Sequence, residues 1–204
     1  MLQKQSVSNE LLELLDFLMS VEEFNKYRLV RGTALALQWG HRESIDIDMF
    51  GDSDLTSDEI VNHLNTYGAV KILKKSKSIN IFMVNNIKVD FVNYKYKWLD
   101  EIYFEDNIRM ATAKDIAAMK INAITGRGSK KDFIDLYFLL NYFTLEEILS
   151  FFISKYYDAT LFLAIKSLTY FDDADLQEMP KIFEKINWED IKKTILKNYY
   201  KLNI

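Results

Sequence analysis

Residues 29–50 read LVRGTALALQWGHRESIDIDMF, and this stretch sets out the organisation of the chain. A Gly-Thr pair (Gly32-Thr33) opens it as a turn, and a short apolar run follows that is typical of a helix ending at Gly40. Charge and apolar character then alternate strictly from Ile45 to Met49, which predicts a β-strand. The alternation places Asp46 and Asp48 on one face of that strand and the apolar side chains on the other.

Two neighbouring carboxylates on one strand face repel each other, and a bound hard cation relieves this repulsion. Mg²⁺ prefers such oxygen ligands together with substrate phosphates. Gly32 permits close approach of the backbone to a phosphate, and Thr33 offers a hydroxyl and an amide at a helix start. The stretch therefore predicts a phosphate-binding turn beside a Mg²⁺ site held by Asp46 and Asp48. Taken alone, the two acids also fit the solvent face of an edge strand.

Composition limits the classes of protein that fit this chain. The 204 residues are 49% hydrophobic and 27% charged, with a net charge of −4, which indicates a globular protein long enough to bury a core. The absence of cysteine excludes disulfides and thiolate metal sites, and two histidines make a histidine-rich zinc site implausible. We expect a cytoplasmic protein with no membrane association, because neither a signal peptide pattern nor a membrane-spanning apolar run occurs.

The remaining pattern predicts an α+β protein. Short strands over residues 69–94, with a turn at Asn85-Asn86, favour a mixed sheet flanked by helices in an N-terminal domain of residues 1–110. Repeated helix-start signals at Thr112, Ser129 and Thr144 predict an all-helical C-terminal domain of residues 111–204.

Other polar side chains are candidates for the same site. Asp90 stands between apolar residues in a strand and predicts a third metal-binding carboxylate that also accepts a proton from an attacking hydroxyl. Arg42 and Ser44 flank the acidic strand and are candidates for phosphate or base contacts. Lys120 lies amid apolar helix residues. Its charge is a candidate for neutralising a departing pyrophosphate, and a lysine that extends to solvent from the edge of a helix fits the pattern equally well.

Two segments carry a resemblance to a known family: GTALALQWGHRESIDIDMF (residues 32–50) and AAMKINAITGRGSKKDFIDLYFLL (residues 117–140), together about a fifth of the chain. They resemble the AbiEii/AbiGii toxins, nucleotidyltransferases of the DNA polymerase β-like superfamily. The resemblance implies a nucleotidyltransferase-like mixed sheet and a toxin of a type IV toxin–antitoxin or abortive-infection (phage-defence) system. It also implies transfer of a nucleotide from a nucleoside triphosphate to an RNA such as tRNA, and a cognate antitoxin as partner.

The same resemblance implies roles for individual residues. Asp46, Asp48 and Asp90 would hold Mg²⁺, and Gly32 and Thr33 would bind the triphosphate. The second segment, residues 117–140, would contribute Lys120 to catalysis and Lys131 and Asp135 to substrate binding. The chain departs from the superfamily pattern at Arg31, where many members carry a first glycine.

Two alternatives remain open at the level of the sequence. One is a nucleotidyltransferase that modifies a small molecule such as an antibiotic, and a narrow acidic acceptor pocket would favour it. The other is a non-catalytic binding protein with the same fold, against which the retention of three acids argues. A broad basic surface would favour RNA as the acceptor.

Overall fold

The computed structural model describes residues 1–202. Within them the chain divides into two compact units, one of residues 1–95 and 102–111, the other of residues 96–101 and the chain from 112 onward. Sequence reasoning had assigned residues 96–101 to the N-terminal domain. They join the second unit because the Asp115 carboxylate accepts hydrogen bonds from the backbone amides of Leu99, at 3.0 Å, and Asp100, at 3.2 Å.

The first unit contains a seven-stranded mixed sheet with the order β3-β4-β5-β2-β1-β7-β6. Its strands are β1 (Arg28–Leu29), β2 (Asp46–Gly51), β3 (Val70–Lys74), β4 (Ile79–Val84), β5 (Ile87–Asn93), β6 (Tyr103–Glu105) and β7 (Ile108–Met110). Strands β2 and β5 are parallel, as are β1 and β7, and the other neighbours are antiparallel. The predicted α+β class with a mixed sheet is confirmed.

Three α-helices belong to the first unit: α1 (Asn9–Ser20), α2 (Arg31–Trp39) and α3 (Ser57–Leu64). Helix α1 buries Leu11, Leu14, Leu15 and Leu18, whose spacing is typical of an amphipathic helix, and the Ser8 side chain caps it by accepting from the Leu11 amide at 3.1 Å. Helix α2 ends at Gly40, whose φ of 65° is the predicted left-handed C-cap.

Two tight hairpins shape the ends of the sheet. Asn85 and Asn86 both have positive φ, which gives the predicted two-residue turn between β4 and β5. Asp106 and Asn107 form an equivalent turn between β6 and β7. This second hairpin was not predicted, although an Asp-Asn pair between two short apolar runs is the signal that marks it.

An aromatic cluster fills one side of the sheet and thereby determines which way the acids face. The Phe91 ring lies 4.9 Å from the Phe24 ring, 5.1 Å from Tyr27 and 6.2 Å from Phe82, measured between centroids. Because successive side chains of a strand point to opposite faces, Asp90 lies on the face away from this cluster.

The second unit contains helices and no strand of the sheet over its described residues. Its helices are α4 (Ala113–Gly126), α5 (Lys130–Leu139), α6 (Leu145–Lys155), α7 (Leu161–Ser167), α8 (Asp172–Asp175) and α9 (Trp188–Tyr199). Thr112 and Thr144 are the N-caps of α4 and α6, as predicted, and Thr144 forms a full capping box with Glu147. Across residues 1–202, no helix combines the length and apolar character needed to cross a membrane.

Candidate active site

The three candidate carboxylates lie on two adjacent parallel strands. The register of β2 and β5 places Asp48 directly opposite Asp90 and Asp46 directly opposite Lys88. Asp48 and Asp90 are both buried, and Asp46, at the start of β2, is half-buried. The predicted alternation holds for Ile47 and Met49, which are fully buried on the opposite face.

Ile45 is an exception to that alternation. It was predicted to be a strand residue on the apolar face, but β2 begins at Asp46 and Ile45 is 62% exposed. The strand therefore enters the sheet at the first acid, and the following residues of β2 are buried on both faces.

Each of the two buried acids has a cation beside it. Arg31 Nη1 donates to Asp48 Oδ1 at 2.9 Å, and Lys88 Nζ lies 2.7 Å from Asp90 Oδ1. Burial raises the pKa of the Asp90 carboxyl, and the Asp48 charge adds to this effect, so that together they outweigh the opposite influence of Lys88. Two acids at opposite positions of adjacent strands thus persist in the folded chain because two basic side chains from the same unit neutralise part of their charge.

The Gly-Thr pair does not form the expected turn ahead of the helix. Gly32 and Thr33 lie inside the first turn of α2, which begins at Arg31. The buried Thr33 hydroxyl is 2.8 Å from Ser44 Oγ and donates to the Asp46 carbonyl oxygen. This contact fixes the start of α2 against the start of β2, so the hydroxyl has a structural contact in addition to the phosphate contact predicted for it.

Arg42 and Ser44 are also buried beside the acidic strand. Arg42 Nη1 donates to the Glu43 carbonyl oxygen at 2.9 Å, and the Ser44 amide donates to the Ser6 carbonyl oxygen at 2.8 Å. These contacts order the segment that delivers the chain to β2. Direct substrate contacts by the two residues stay predictions.

The downstream candidates lie in the second unit. Lys120 is buried on α4, and its ammonium lies 3.0 Å from Asp132 Oδ1 and 2.5 Å from Asp135 Oδ2, both on α5. Arg127 Nε and the Ser129 hydroxyl donate to Asp132 Oδ2 at 3.0 and 2.6 Å.

Lys131, one residue before Asp132, is exposed. Of the three downstream residues predicted to act on the substrate, Lys120 and Asp135 therefore form one buried ion-pair cluster, and Lys131 remains accessible to solvent.

The sheet face that carries Asp46, Asp48 and Asp90 offers the oxygen ligands that a divalent cation requires, although these side chains do not converge on one point. In residues 1–202, no three His, Cys, Asp or Glu side chains are gathered closely enough to hold one metal ion. The Lys88 ammonium, 2.7 Å away, is the partner of the buried Asp90 Oδ1. A buried carboxylate with one exposed cationic partner beside a second carboxylate has oxygen ligands that fit a hard cation.

Arg31 and Lys88 are the site residues that sequence reasoning missed. Arg31 was noted as a departure from a glycine pattern and was given no role. Lys88 carried a usable signal, since residues i and i+2 of a strand share a face and Lys88 precedes Asp90 by two positions. The register that brings Lys88 opposite Asp46 depends on strand pairing across about forty residues, which local patterns do not specify.

Solved structures of other proteins share this architecture. JHP933 from Helicobacter pylori superposes with a TM-score of 0.62 at 17% identity, covering 96% of this chain and 92% of that one. The nucleotidyltransferase toxin MenT4 from Mycobacterium tuberculosis superposes with a TM-score of 0.55 at 11% identity, covering 95% and 84%. The fold is that of the nucleotidyltransferases.

Sequence comparison identifies the family. The family model for the nucleotidyl transferase AbiEii toxin of type IV toxin–antitoxin systems matches residues 14–198. An uncharacterised protein of Aquifex aeolicus is 35% identical over 196 residues, covering 92% of this chain and 93% of that protein. The chain belongs to the AbiEii family of nucleotidyltransferase toxins, and it is a nucleotidyltransferase.

Proposed function

We propose that the protein transfers a nucleotide from a nucleoside triphosphate, with Mg²⁺, to a hydroxyl group of an RNA such as tRNA, and that pyrophosphate leaves. The observation that carries this proposal is the register of β2 and β5, which sets Asp48 opposite Asp90 with Asp46 two residues earlier on the same face. Carboxylates at opposite positions repel each other, and a bound cation relieves this repulsion. In phosphoryl transfer, the Mg²⁺ that accompanies the triphosphate is such a cation.

Asp46, Asp48 and Asp90 would hold the divalent cation. When bound, it would neutralise phosphate charge and lower the pKa of an attacking hydroxyl. Asp90 would also accept the proton of that hydroxyl, because it lies directly opposite Asp48 on the same face of the sheet.

In this proposal the start of α2 would bind the triphosphate. Gly32 and Thr33 lie in its first turn, where backbone amides without helical partners collect partial positive charge. In the proposal these amides orient the phosphates beside β2, because the Thr33 hydroxyl ties the first turn of α2 to the first residue of that strand.

Lys120 and Asp135 keep their predicted roles as proposals. Lys120 would offset charge on the leaving pyrophosphate, and Asp135, 2.5 Å from its ammonium, would hold that ammonium in place. Lys131 is exposed and would contact phosphates of the substrates.

A basic edge of the sheet supports RNA as the acceptor over a small molecule. Strand β3 forms one edge of the sheet, and the exposed lysines on it and on the turn that follows are Lys71, Lys74, Lys75 and Lys77. Only β4 separates β3 from β5, the strand of Asp90. Clustered lysines bind a nucleic acid backbone through its phosphates, and such binding weakens steeply with salt.

The direct test is incubation of the purified protein with Mg²⁺, each labelled triphosphate in turn, and total tRNA. We expect label on RNA with the wild type and none with Asp46→Ala. Absence of transfer by the wild type with every triphosphate, or undiminished transfer by Asp46→Ala, would contradict the proposal.

A charge reversal tests the acceptor separately. Lys71→Glu combined with Lys74→Glu should weaken tRNA binding and reduce its salt dependence, with little change in triphosphate binding. The control is Lys181→Glu combined with Lys185→Glu, which makes the same change in net charge in the second unit. Equal RNA binding by the two double variants would argue against the β3 edge.

The type IV toxin–antitoxin family also implies an antitoxin. Under this proposal, expression of the wild-type chain alone slows bacterial growth, expression of Asp46→Ala does not, and co-expression of the cognate antitoxin restores growth. Equal toxicity of the wild type and the variant would separate any toxicity from nucleotide transfer.

A further inference from the structure

Arg31 has a backbone conformation that arginine rarely adopts. Its φ is 57°, in the left-handed region that favours glycine and tolerates asparagine and aspartate. The other non-glycine residues with positive φ in residues 1–202 are Asn85, Asn86, Asp106 and Asn107, all in two-residue hairpin turns. An arginine in this conformation is strained, so its side chain must offset the strain through its contacts or its function.

The contacts of the Arg31 side chain lie on the acidic face. Its Nη1 donates to Asp48 Oδ1 at 2.9 Å, and its Cζ lies 4.6 Å from the centre of the Phe50 ring. Asp48 and Phe50 are two residues apart on β2, so one strand face provides both a carboxylate and an aromatic surface for the guanidinium. The pair engages one of the five N–H donors of the guanidinium, and the Arg31 side chain is 33% exposed.

Lys88 repeats this arrangement on the neighbouring strand. Its ammonium lies 2.7 Å from Asp90 Oδ1, and its side chain is 36% exposed, compared with 8% for Asp90. Each buried carboxylate is thus paired with a more exposed cation that reaches solvent. A more exposed cation can leave its partner and contact an anion that arrives from solution at a small desolvation cost.

We propose that Arg31, assisted by Lys88, is a counter-ion that is exchanged during substrate binding: it leaves Asp48 when a divalent cation binds and then contacts the triphosphate. This inference rests on the proposed function. A guanidinium and a divalent cation beside the same carboxylate repel each other, so Arg31 opposes binding of the metal alone. With a triphosphate present, the effect of Arg31 on binding becomes favourable, because the phosphate oxygens accept hydrogen bonds from two guanidinium donors at once. Arg31 thereby makes metal binding depend on the nucleotide.

The proposal predicts changes of opposite sign in a single variant. Arg31→Gly removes the cation and fits the left-handed backbone. When full-length Arg31→Gly is titrated with Mn²⁺ alone and monitored by electron paramagnetic resonance, its dissociation constant for Mn²⁺ should be about two- to fivefold lower than that of the wild type. Titration with an α,β-methylene triphosphate in the presence of Mg²⁺ should give a dissociation constant about tenfold higher.

Two further variants separate charge from backbone effects. Asn86→Gly relieves a left-handed residue in the β4–β5 turn and removes no charge, so it should leave both dissociation constants at their wild-type values. Arg31→Lys keeps the charge and loses the planar guanidinium, so it should retain the wild-type Mn²⁺ constant and weaken analogue binding by a smaller factor than Arg31→Gly does.

The outcomes distinguish this inference from the proposed function. Wild-type values of both constants in Arg31→Gly, or weaker binding of both Mn²⁺ and the analogue, would overturn the counter-ion exchange. Asp48→Asn tests the underlying site: if it loses Mn²⁺ while Arg31→Gly is unchanged, only the exchange fails. If Asp48→Asn binds Mn²⁺ as tightly as the wild type, the carboxylate site itself, and with it the proposed function, fails.

Discussion

Two clusters of ionised side chains in this protein are neutralised in different ways. In the first unit the buried acids Asp48 and Asp90 are paired with Arg31 and Lys88, whose side chains are 33% and 36% exposed. In the second unit Lys120, 4% exposed, is paired with Asp132 and Asp135, which are 1% and 0% exposed. In the first cluster both cations reach solvent, whereas in the second Lys120 is enclosed together with both of its acids. Arg127, which also contacts Asp132, is 58% exposed and adds an outer partner to that enclosed pair.

The pKa values reflect the same difference. Burial raises the pKa of Asp90, and its one nearby ammonium does not compensate. Asp132 is also buried, which works to raise its pKa, but the charges of Lys120 and Arg127 and the Ser129 hydroxyl hold that pKa well below the ordinary range. Enclosed charges with several partners stabilise a fold, whereas a buried acid with few partners retains the capacity to bind a ligand or a proton.

The largest expected effect is on activity in the first cluster. Asp48→Asn should reduce nucleotide transfer by about 10³-fold or more, because charge stabilisation worth several kcal/mol is lost. Steady-state transfer to tRNA measures this effect. The matched control is Asp16→Asn, an exposed acid on α1 of the same unit, which should keep wild-type activity. Similar transfer activities in the two variants would show that the buried Asp48 is no more important for catalysis than an exposed acid.

The second effect is on stability in the enclosed cluster. Lys120→Met should lower the free energy of unfolding by about 3–5 kcal/mol, because it leaves Asp132 and Asp135 without their shared buried partner. Urea denaturation measures the change. Lys131→Met, an exposed lysine at the start of α5, should stay within about 0.5 kcal/mol of the wild type. An unchanged free energy of unfolding in Lys120→Met would contradict the stabilising role of this cluster, and loss of transfer at unchanged stability would leave only the role proposed for Lys120 at the pyrophosphate.

Substitutions at two glycines test how tightly the backbone is packed at the end of β2 and at the end of α4. A Cβ at Gly51, the last residue of β2, would lie 2.3 Å from the Lys26 carbonyl oxygen, so Gly51→Ala should destabilise the protein by about 1–3 kcal/mol. A Cβ at Gly126, the last residue of α4, would meet no atom within 4 Å, so Gly126→Ala should stabilise by up to about 1 kcal/mol. Thermal unfolding of both variants measures this contrast, and equal melting temperatures would contradict it.

The smallest effect is a pH dependence of the second cluster. The folded-state pKa of Asp132 is depressed below its ordinary value of 3.8, so its contribution is present above that value and is lost as the pH falls below it. Asp132→Asn should therefore be less stable than the wild type at pH 7, and the difference should narrow as the pH falls from about 4 to about 2. Urea denaturation across this range is the measurement. A difference that is constant with pH would show that ionisation of Asp132 is unimportant for stability.

Much of the local structure was predictable because it depends on neighbouring residues. The bounds of α1 follow from apolar spacing and the Ser8 cap, the end of α2 from Gly40, and the β4–β5 turn from Asn85-Asn86. The grouping of residues 96–101 with the second unit depends on the Asp115 carboxylate, which is distant in sequence, so local patterns do not specify it. Ile45 was placed in a strand that begins one residue later, since alternation alone does not determine where pairing begins.

The candidate site divides along the same line. The sequence by itself determined the three acids, their common strand faces, the α+β class and the resemblance to the AbiEii toxins, because each depends on residue type and short-range periodicity. Only the tertiary structure decided that Asp48 lies opposite Asp90, that Arg31 and Lys88 neutralise them, and that Lys120 is enclosed by Asp132 and Asp135. Strand register and ion pairing join residues far apart in the chain, and only the packing of the whole unit fixes them.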